Sequence, residues 1–253
     1  MTGLNFSDNL AAFAETMEQE KSFVRRWANL TEWLGSFGAD QINYGVLDNI
    51  SFNRDEAPVT FISSMNPQWI EYYGEQRFDL HDPHVTFVRE GRLQPYRWSE
   101  DILPHLDQES GQDVVKQTIE AGLRSQIHMI APDPLGLCGP VGGMTIGSSL
   151  KSGEFFGCVG DRDILLVSMA TIFHHHAIGE IRRSQVGARP LSTRERDCMA
   201  FVASGLRTSR IAEKMRVSEV TVELHLRNAR TKLRAKTTAQ AIARAMMFGD
   251  IIL

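Results

Sequence analysis

The charged residues of this chain are distributed unevenly, and the imbalance divides the sequence into two parts. Residues 189–253 contain thirteen Lys and Arg against six Asp and Glu, a net charge of +7. The preceding 188 residues carry a net charge of −11. A small basic module joined to a larger acidic one is typical of a protein that binds a polyanion through one domain. A chain of 253 residues is also long enough for two domains.

The boundary between the two parts is marked by turn-forming residues. Gly187 and Pro190 lie directly after a long stretch of helical pattern at 162–183. We therefore predict an N-terminal domain at 1–183, a short linker at 184–190 and a C-terminal domain at 191–253.

The composition excludes several classes of protein. Hydrophobic residues make up 42% and charged residues 23%, as in an ordinary globular protein. Three widely separated cysteines, at positions 138, 158 and 198, favour a reduced, cytoplasmic protein over a secreted one. The sequence contains no apolar run of the ~18 residues typical of a membrane span, and no nucleophile elbow, HExxH, CxxC or P-loop motif. We expect neither a membrane protein nor an enzyme, and neither a cofactor nor a metal.

The N-terminal part combines helical and strand patterns. Short β-rich runs with helices on both sides of them favour an α+β fold, an α-β-α sandwich around an antiparallel sheet. The absence of βαβ alternation and of an early acidic pair argues against a phosphoacceptor receiver domain. The predicted helices cover 8–35 with interruptions, 67–74, 113–121 and 162–183, and the predicted strands cover 42–47, 59–62, 126–131 and 141–148.

The C-terminal part has the start and stop signals of four short helices. Ser192 and Glu195 have the spacing of a capping box at the first helix, and Gly205 ends that helix. Ser218 is a suitable N-cap for the third helix, after a three-residue turn. Two helices joined by so short a turn form a helix-turn-helix. The predicted helices cover about 193–204, 208–215, 219–234 and 238–248.

The third helix has two chemically different faces. The apolar face should pack on the other helices, and the basic face has the charge that a helix in the DNA major groove requires. An arginine face can also be merely solvated, but the tight turn, the caps and the net charge favour DNA binding. The apolar face comprises Val222, His225, Leu226, Ala229 and Leu233, and the other comprises Glu223, Arg227, Arg230 and Arg234.

A longer pattern runs through the whole C-terminal module. It comprises Leu191-Ser192-Thr193-Arg194-Glu195-Arg196, Ala203-Ser204-Gly205, Ile211-Ala212, Val217-Ser218, Thr221-Val222, His225, Asn228 and Lys232-Leu233. This pattern resembles the LuxR-type helix-turn-helix over nearly all of 190–253. The resemblance implies a four-helix DNA-binding domain that works as a homodimer on a two-fold symmetric operator, with RNA polymerase as a further candidate partner.

By position, the resemblance also assigns DNA-contacting residues. Glu223, Leu224 and Arg227 would face the groove, and Thr221, Arg230 and Lys232 would contact phosphates. Glu223 departs from the family, in which this position is often basic. Its carboxylate could accept a hydrogen bond from cytosine N4 or pair with Arg227 four residues later.

The N-terminal part contains a set of polar and aromatic residues that suits a ligand pocket. Trp69 and Tyr73 share one helix face, and Asp82-Pro83 follows after eight residues. An indole N–H, a phenol and a carboxylate could form the polar end of an apolar pocket for a small amide with an apolar tail. The same residues are also compatible with core aromatics and an ordinary turn.

Together with Trp98, this spacing resembles the acyl-homoserine-lactone-binding domain of quorum-sensing LuxR-type regulators over about 40–150. The resemblance implies that Trp69 donates to the lactone carbonyl, Tyr73 donates to the acyl carbonyl and Asp82 accepts the amide N–H. It also implies that Trp98 closes the lactone end by stacking. Thr145 or Ser148 could add a hydroxyl contact.

Two positions differ from that family. Met65 replaces a frequent aromatic residue, and Gln126 occupies a position that is usually glycine. These changes favour a long or substituted acyl chain, a different signal or no signal. Two alternatives therefore remain open: a solo regulator that works without a lactone, and an inhibitor that forms heterodimers with a related regulator.

The histidines do not form an evident metal site. Consecutive helical residues point about 100° apart, so His174, His175 and His176 should not share one metal. His81 and His84 flank Asp82-Pro83, where a turn or a pocket rim is the favoured role.

Overall fold

The computed structural model describes residues 6–47, 59–90, 94–106, 109–132 and 140–252. The chain divides into two compact units, with the boundary between His176 and Ala177. The predicted turn at 132–140 lies almost wholly outside the described residues. The predicted fold class is confirmed: an α+β unit with a five-stranded antiparallel sheet comes first, and a helical unit follows.

The described part of the N-terminal unit contains seven α-helices, counting the first part of α7, and five strands. The helices are α1 (Phe6–Gln19), α2 (Phe23–Gly35), α3 (Pro67–Glu75), α4 (Pro83–Arg89), α5 (Glu109–Glu120), α6 (Ser152–Val159) and α7 (Asp163–Gln185). The strands are β1 (Gln41–Leu47), β2 (Val59–Ser63), β3 (Tyr96–Ser99), β4 (Ser125–Pro132) and β5 (Pro140–Ser148). Short 3₁₀ segments cover Phe78–Leu80 and Glu100–His105.

The strands are ordered β2-β1-β5-β4-β3, and every neighbouring pair is antiparallel. Because side chains alternate across a strand, residues paired across β1, β5 and β4 share a face. Ile42, Ile146 and Ile127 form one paired row, and all three side chains are buried. The adjacent row on the opposite face comprises Asn43, Thr145 and His128, which are polar.

The apolar face of the sheet packs against α7. Tyr44 meets Phe173 edge to face, with ring centroids 5.2 Å apart. Arg26 of α2 donates to the backbone oxygens of Met17 and His176, at 3.1 Å each, and so joins α1 and α2 to α7. These helices form one outer layer, and α3, α4 and α5 lie over the polar face of the sheet.

By length and composition alone, α7 is apolar enough to cross a membrane. Half of its most apolar window is buried inside the protein. Leu166, Met169 and Phe173 have no exposed surface, so packing in the core accounts for the hydropathy of this helix.

Several short elements differ from the sequence-based prediction. Helix α4, strand β3 and helix α6 were not predicted, because elements of four to eight residues give little periodicity. Helix α5 begins at Glu109 rather than at 113. The interrupted helical pattern at 8–35 corresponds to two helices: α1 ends at Gln19, and α2 begins at Phe23.

The C-terminal unit contains the four predicted helices, α8 (Thr193–Ala203), α9 (Thr208–Met215), α10 (Glu219–Lys232) and α11 (Thr238–Met247). The predicted capping box is formed: Ser192 Oγ accepts the Glu195 N–H, and Glu195 accepts the Ser192 N–H at 2.7 Å. Ser218 caps α10 by accepting the Thr221 N–H at 3.2 Å. Helix α10 ends two residues earlier than predicted, and Arg234 is left-handed, with a φ of 55°.

Gly147 is a position at which the sheet has little room for a side chain. It lies in β5 between Gln41 and Gln126, and a Cβ there would overlap the Leu123 side chain. The same Cβ would lie 3.1 Å and 3.3 Å from the carbonyl oxygens of Gln41 and Ser125. Gly153, in helix α6, has open space at its Cβ position.

We expect Gly147→Ala to lower the free energy of unfolding of the N-terminal unit by about 1–3 kcal/mol through overpacking. Gly153→Ala, the matched control, should be neutral or stabilising, since Ala favours a helix over Gly. Urea denaturation followed by tryptophan fluorescence measures this unit, because all four tryptophans lie within it. Equal urea midpoints for Gly147→Ala and the wild type would contradict the packing described here.

Candidate ligand-binding site and nucleic-acid interface

A cavity lies between the polar face of the sheet and helices α3, α4 and α5. The space between its lining atoms, counted out to its open mouth, is about 750 Å³. On the helical side, the lining includes Met65, Trp69, Tyr73, Asp82, His84 and Thr118. On the sheet side, it includes Asn43, Gln126, His128 and Thr145.

Helix α3 places the aromatic wall of the cavity. The Asn66 side chain caps this helix by accepting the Gln68 N–H at 2.9 Å, and Pro67 is its first residue. The i, i+4 spacing sets Trp69 and Tyr73 on one face, with ring centroids 6.2 Å apart. Phe61 of β2 stacks on Tyr73 at 6.3 Å, so the helix is held over the sheet.

Asp82 is buried at the junction between the first 3₁₀ segment and α4, with 7% of its surface exposed. The Tyr73 hydroxyl donates to Asp82 Oδ2 at 2.6 Å. The backbone N–H and the Nδ1 of His84 both lie 2.8 Å from Asp82 Oδ1. The carboxylate is therefore fixed by three donors from two elements.

These contacts set the charge of Asp82. Burial raises the pKa of the carboxyl, but the charge of His84 and the hydrogen bonds from His84 and Tyr73 outweigh it and lower the pKa below its ordinary value. Asp82 is therefore ionised at neutral pH. A carboxylate has about four lone-pair sites, so three donors leave capacity for a further N–H from the cavity.

Three rings form a stack beside Asp82. His84 lies flat on His128 and on Trp98, with centroids 3.7 Å and 4.6 Å apart. The Trp98 indole N–H donates to Nε2 of His128. Burial, with a smaller contribution from the charge of His84, holds the pKa of His128 well below its ordinary value, so this imidazole is neutral.

The neutral state of His128 fixes the direction of the next hydrogen bond. An indole N–H can only donate, so Nε2 is the acceptor and Nδ1 carries the proton. Nδ1 therefore donates to Thr145 Oγ1, 2.8 Å away. The hydroxyl proton of Thr145 remains available to a ligand.

The structure brings six of the eight predicted ligand-site residues to one cavity: Met65, Trp69, Tyr73, Asp82, Gln126 and Thr145. Two lie elsewhere. Trp98 is 4% exposed and lies behind His84 and His128, outside the described lining. Ser148 is three residues from Thr145, so alternation places it on the opposite face, where its hydroxyl donates to the Gly38 carbonyl at 2.7 Å.

Sequence analysis missed several residues of the site, including two polar ones on the sheet, and it understated the role of His84. Asn43 and His128 line the cavity from the sheet, and His84 holds Asp82 rather than only lying at the rim. The alternation of polar Gln126 and His128 with apolar Ile127 and Met129 was the available signal for a polar, inward-facing strand.

The predicted DNA-contacting residues of helix α10 differ in their exposure to solvent. Glu223, Leu224 and Arg227 are exposed, Leu224 to 42%. In the described part of the C-terminal unit, no ion pair joins Glu223 to Arg227. The buried stripe of the helix comprises Val222, Ala229 and, at its C-cap, Leu233, while the predicted members His225 and Leu226 are half-buried.

The three predicted phosphate contacts have different surroundings. The Thr221 hydroxyl shares a hydrogen bond with Ser218 Oγ at 2.8 Å, and Arg230 is half-buried. Lys232 Nζ lies 2.7 Å from Glu195 Oε2. Burial raises the pKa of Glu195, but the hydrogen bonds from Lys232 and Ser192 lower it overall. The ammonium of Lys232 is thus engaged within its own domain.

Comparison with known proteins gives matches over most of the chain. Residues 24–176 match the autoinducer binding domain family, and residues 189–245 match the luxR family of bacterial regulatory proteins. The transcriptional activator protein VanR of Vibrio anguillarum is 30% identical over 191 residues, which are 72% of this chain and 73% of VanR.

Solved structures show the same fold. Escherichia coli SdiA superposes with a TM-score of 0.56 at 18% identity, covering 98% of this chain and 100% of SdiA. The N-acylhomoserine lactone dependent LuxR-family factor CepR2 of Burkholderia cenocepacia gives a TM-score of 0.55 at 11% identity, covering 70% of this chain and 98% of CepR2.

We expect Asp82→Asn to lower the free energy of unfolding of the N-terminal unit by about 1.5–3 kcal/mol at pH 7, because charged hydrogen bonds are lost. The folded-state pKa is lowered, so the stabilisation is present above the unfolded-state pKa and is lost as the pH falls through the folded-state value. Urea denaturation at pH 7 and at pH 3–4 should therefore show a smaller difference in the free energy of unfolding between the wild type and Asp82→Asn at the lower pH. The control is Asp113→Asn, which removes an exposed carboxylate on α5 and should change the free energy of unfolding little. A difference between the wild type and Asp82→Asn that does not depend on pH would contradict the account.

Proposed function

The chain belongs to the LuxR family of bacterial regulatory proteins, with an autoinducer-binding domain, and on that basis we propose that it binds an acyl-homoserine lactone and regulates transcription as a dimer. Its family is one of transcription regulators rather than enzymes. The proposed division is a ligand-binding domain at 1–183, a linker at 184–190 and a DNA-binding domain at 191–253. A soluble regulator of this type acts in the cytoplasm, where its DNA is found.

The observation that carries the ligand proposal is the buried, ionised Asp82 with remaining acceptor capacity in a cavity of about 750 Å³. A neutral amide N–H can donate to such a carboxylate without bringing a second charge into the cavity, where its desolvation would be costly. Trp69 lines the same cavity, and its indole N–H has no hydrogen-bond partner among the described residues. A lactone carbonyl would give this N–H an acceptor.

Tyr73 has a role that depends on the state of the site. Its hydroxyl donates to Asp82 in this structure, and a phenol has one proton to donate. To donate to the acyl carbonyl, the hydroxyl has to rotate away from Asp82. The incoming amide N–H would then take its place on the carboxylate, so the number of donors to Asp82 is conserved.

DNA binding is proposed through the exposed face of α10. Arg227 and Glu223 have no ion pair with each other, so Glu223 is available for a base edge and Arg227 for a base edge or a phosphate. This favours cytosine N4 over Arg227 as the partner of Glu223. Two helix-turn-helix units related by a two-fold axis would bind half-sites about one helical turn apart.

The ligand proposal is tested by thermal unfolding of the full chain against acyl-homoserine lactones of graded chain length. Free ligand at ~100 times its dissociation constant should add about 2.7 kcal/mol, a shift of a few degrees. The shift should be largest at one chain length and should be much smaller in Asp82→Asn, whose neutral amide oxygen is a weaker acceptor than the carboxylate. Asp113→Asn should keep the shift, and no shift from any lactone with a folded wild type would favour the solo regulator.

The DNA proposal is tested by Arg227→Ala. Once an operator sequence has been selected from random DNA, the substitution should weaken binding on the order of tenfold or more. The control is Arg25→Ala, an exposed arginine of the N-terminal unit, which should leave affinity unchanged. Fluorescence anisotropy at several salt concentrations measures both; unchanged affinity and salt dependence in Arg227→Ala would exclude α10 as the recognition helix.

A further inference from the structure

Gln126 lies on the polar face of the sheet, near the start of β4. It lies in β4 between Trp98 of β3 and Gly147 of β5, and it lines the cavity. The side chain is completely buried. Neither its amide nitrogen nor its amide oxygen has a hydrogen-bond partner among the described residues.

Three other polar side chains of the cavity, Asn43, Thr118 and His128, make their hydrogen bonds within the protein. Asn43 accepts from Ser63 Oγ at 2.5 Å and donates to Met65 Sδ at 3.4 Å. The Thr118 hydroxyl donates to the Val114 carbonyl at 2.7 Å. His128 uses both ring nitrogens, on Trp98 and Thr145. Gln126 therefore differs from these three in that neither end of its amide has a partner among the described residues, on a residue that lines the cavity.

A buried amide without partners destabilises a fold, because it loses its hydrogen bonds to water and gains none in return. An apolar side chain of the same size would fit this position at less cost. The amide thus has no structural role that the described contacts reveal, and a partner supplied by a ligand would satisfy it.

The polar groups of an acyl-homoserine lactone head are assigned elsewhere. Under the proposed function, the lactone carbonyl meets Trp69, the amide N–H meets Asp82 and the acyl carbonyl meets Tyr73, all on the helical side of the cavity. Gln126 lies on the sheet side. An oxygen substituent on the acyl chain is a polar group that this assignment leaves without a protein partner, and it is the partner considered for Gln126.

We infer that Gln126 hydrogen-bonds an oxygen substituent on the acyl chain, so that this protein selects lactones with a carbonyl or hydroxyl on the chain over unsubstituted ones. The inference rests on the proposed function and refines its ligand class. A glutamine suits either substituent, since its amide donates to a carbonyl and can both donate to and accept from a hydroxyl.

The test is isothermal titration calorimetry of the full chain with three lactones that differ only in this oxygen: N-octanoyl-, N-(3-oxooctanoyl)- and N-(3-hydroxyoctanoyl)-homoserine lactone. The wild type should bind at least one oxygenated ligand tenfold or more tightly than the unsubstituted one. Gln126→Met, which keeps the length of the side chain without its amide, should reduce that preference to less than about threefold. Asp82→Asn should weaken all three ligands by a similar factor and so preserve their ratio.

The outcomes separate the two levels of the proposal. Equal affinity of the wild type for the three lactones, or an unchanged preference in Gln126→Met, would overturn the role of Gln126 and leave lactone binding intact. Absence of binding by all three to a folded wild type would overturn the proposed function and this inference with it. Gln126→Leu provides a second variant if Gln126→Met does not fold. A melting temperature of either ligand-free variant at or above that of the wild type supports a ligand role, and a fall of more than about 5 °C in both would indicate a structural one.

Discussion

The alternation of side chains across β1, β4 and β5 gives the two faces of the sheet different chemistry, and the rest of the N-terminal unit depends on that division. The face bearing Ile42, Tyr44 and Ile146 is apolar and packs on the long helix α7. This packing provides the core, so the other face does not have to be fully filled. That second face bears Asn43 and Thr145 beside the cavity. One face of the sheet therefore forms the core of the unit, and the other lines the cavity.

The hydrogen bonds of Asp82 link the sheet to the helices on the other side of the cavity. A carboxylate at 7% exposure is unfavourable unless its oxygens are hydrogen-bonded, and Tyr73 and His84 supply those bonds from α3 and α4. His84 is in turn stacked on His128, which belongs to the sheet. The contacts that keep Asp82 ionised therefore also hold α3 and α4 above β4. A ligand N–H that binds this carboxylate would contact a group whose geometry is already fixed.

The sequence was sufficient for the features with strong local signals. Helix α3 begins at Pro67, and the capping box of Ser192 is formed as its spacing indicates. Trp98 was predicted to line the cavity but lies behind His84. Strand β3 and helix α4 are too short to be recognised from the sequence, and the packing of α4 puts His84 between the indole and the cavity. The contact of Lys232 with Glu195 joins residues 37 positions apart, which no local pattern encodes. Short elements and distant pairings limited the prediction, while periodicity and capping supported it.

The central claim is that the cavity between the sheet and α3–α5 binds an acyl-homoserine lactone through Asp82. A crystal structure of the full chain with the lactone that stabilises it most tests this directly. The account predicts the ligand within this cavity, with its amide nitrogen about 2.8–3.2 Å from an Asp82 carboxylate oxygen and the Tyr73 hydroxyl turned towards the acyl carbonyl. A ligand bound outside this cavity, or one whose amide nitrogen has a partner other than Asp82, would contradict it.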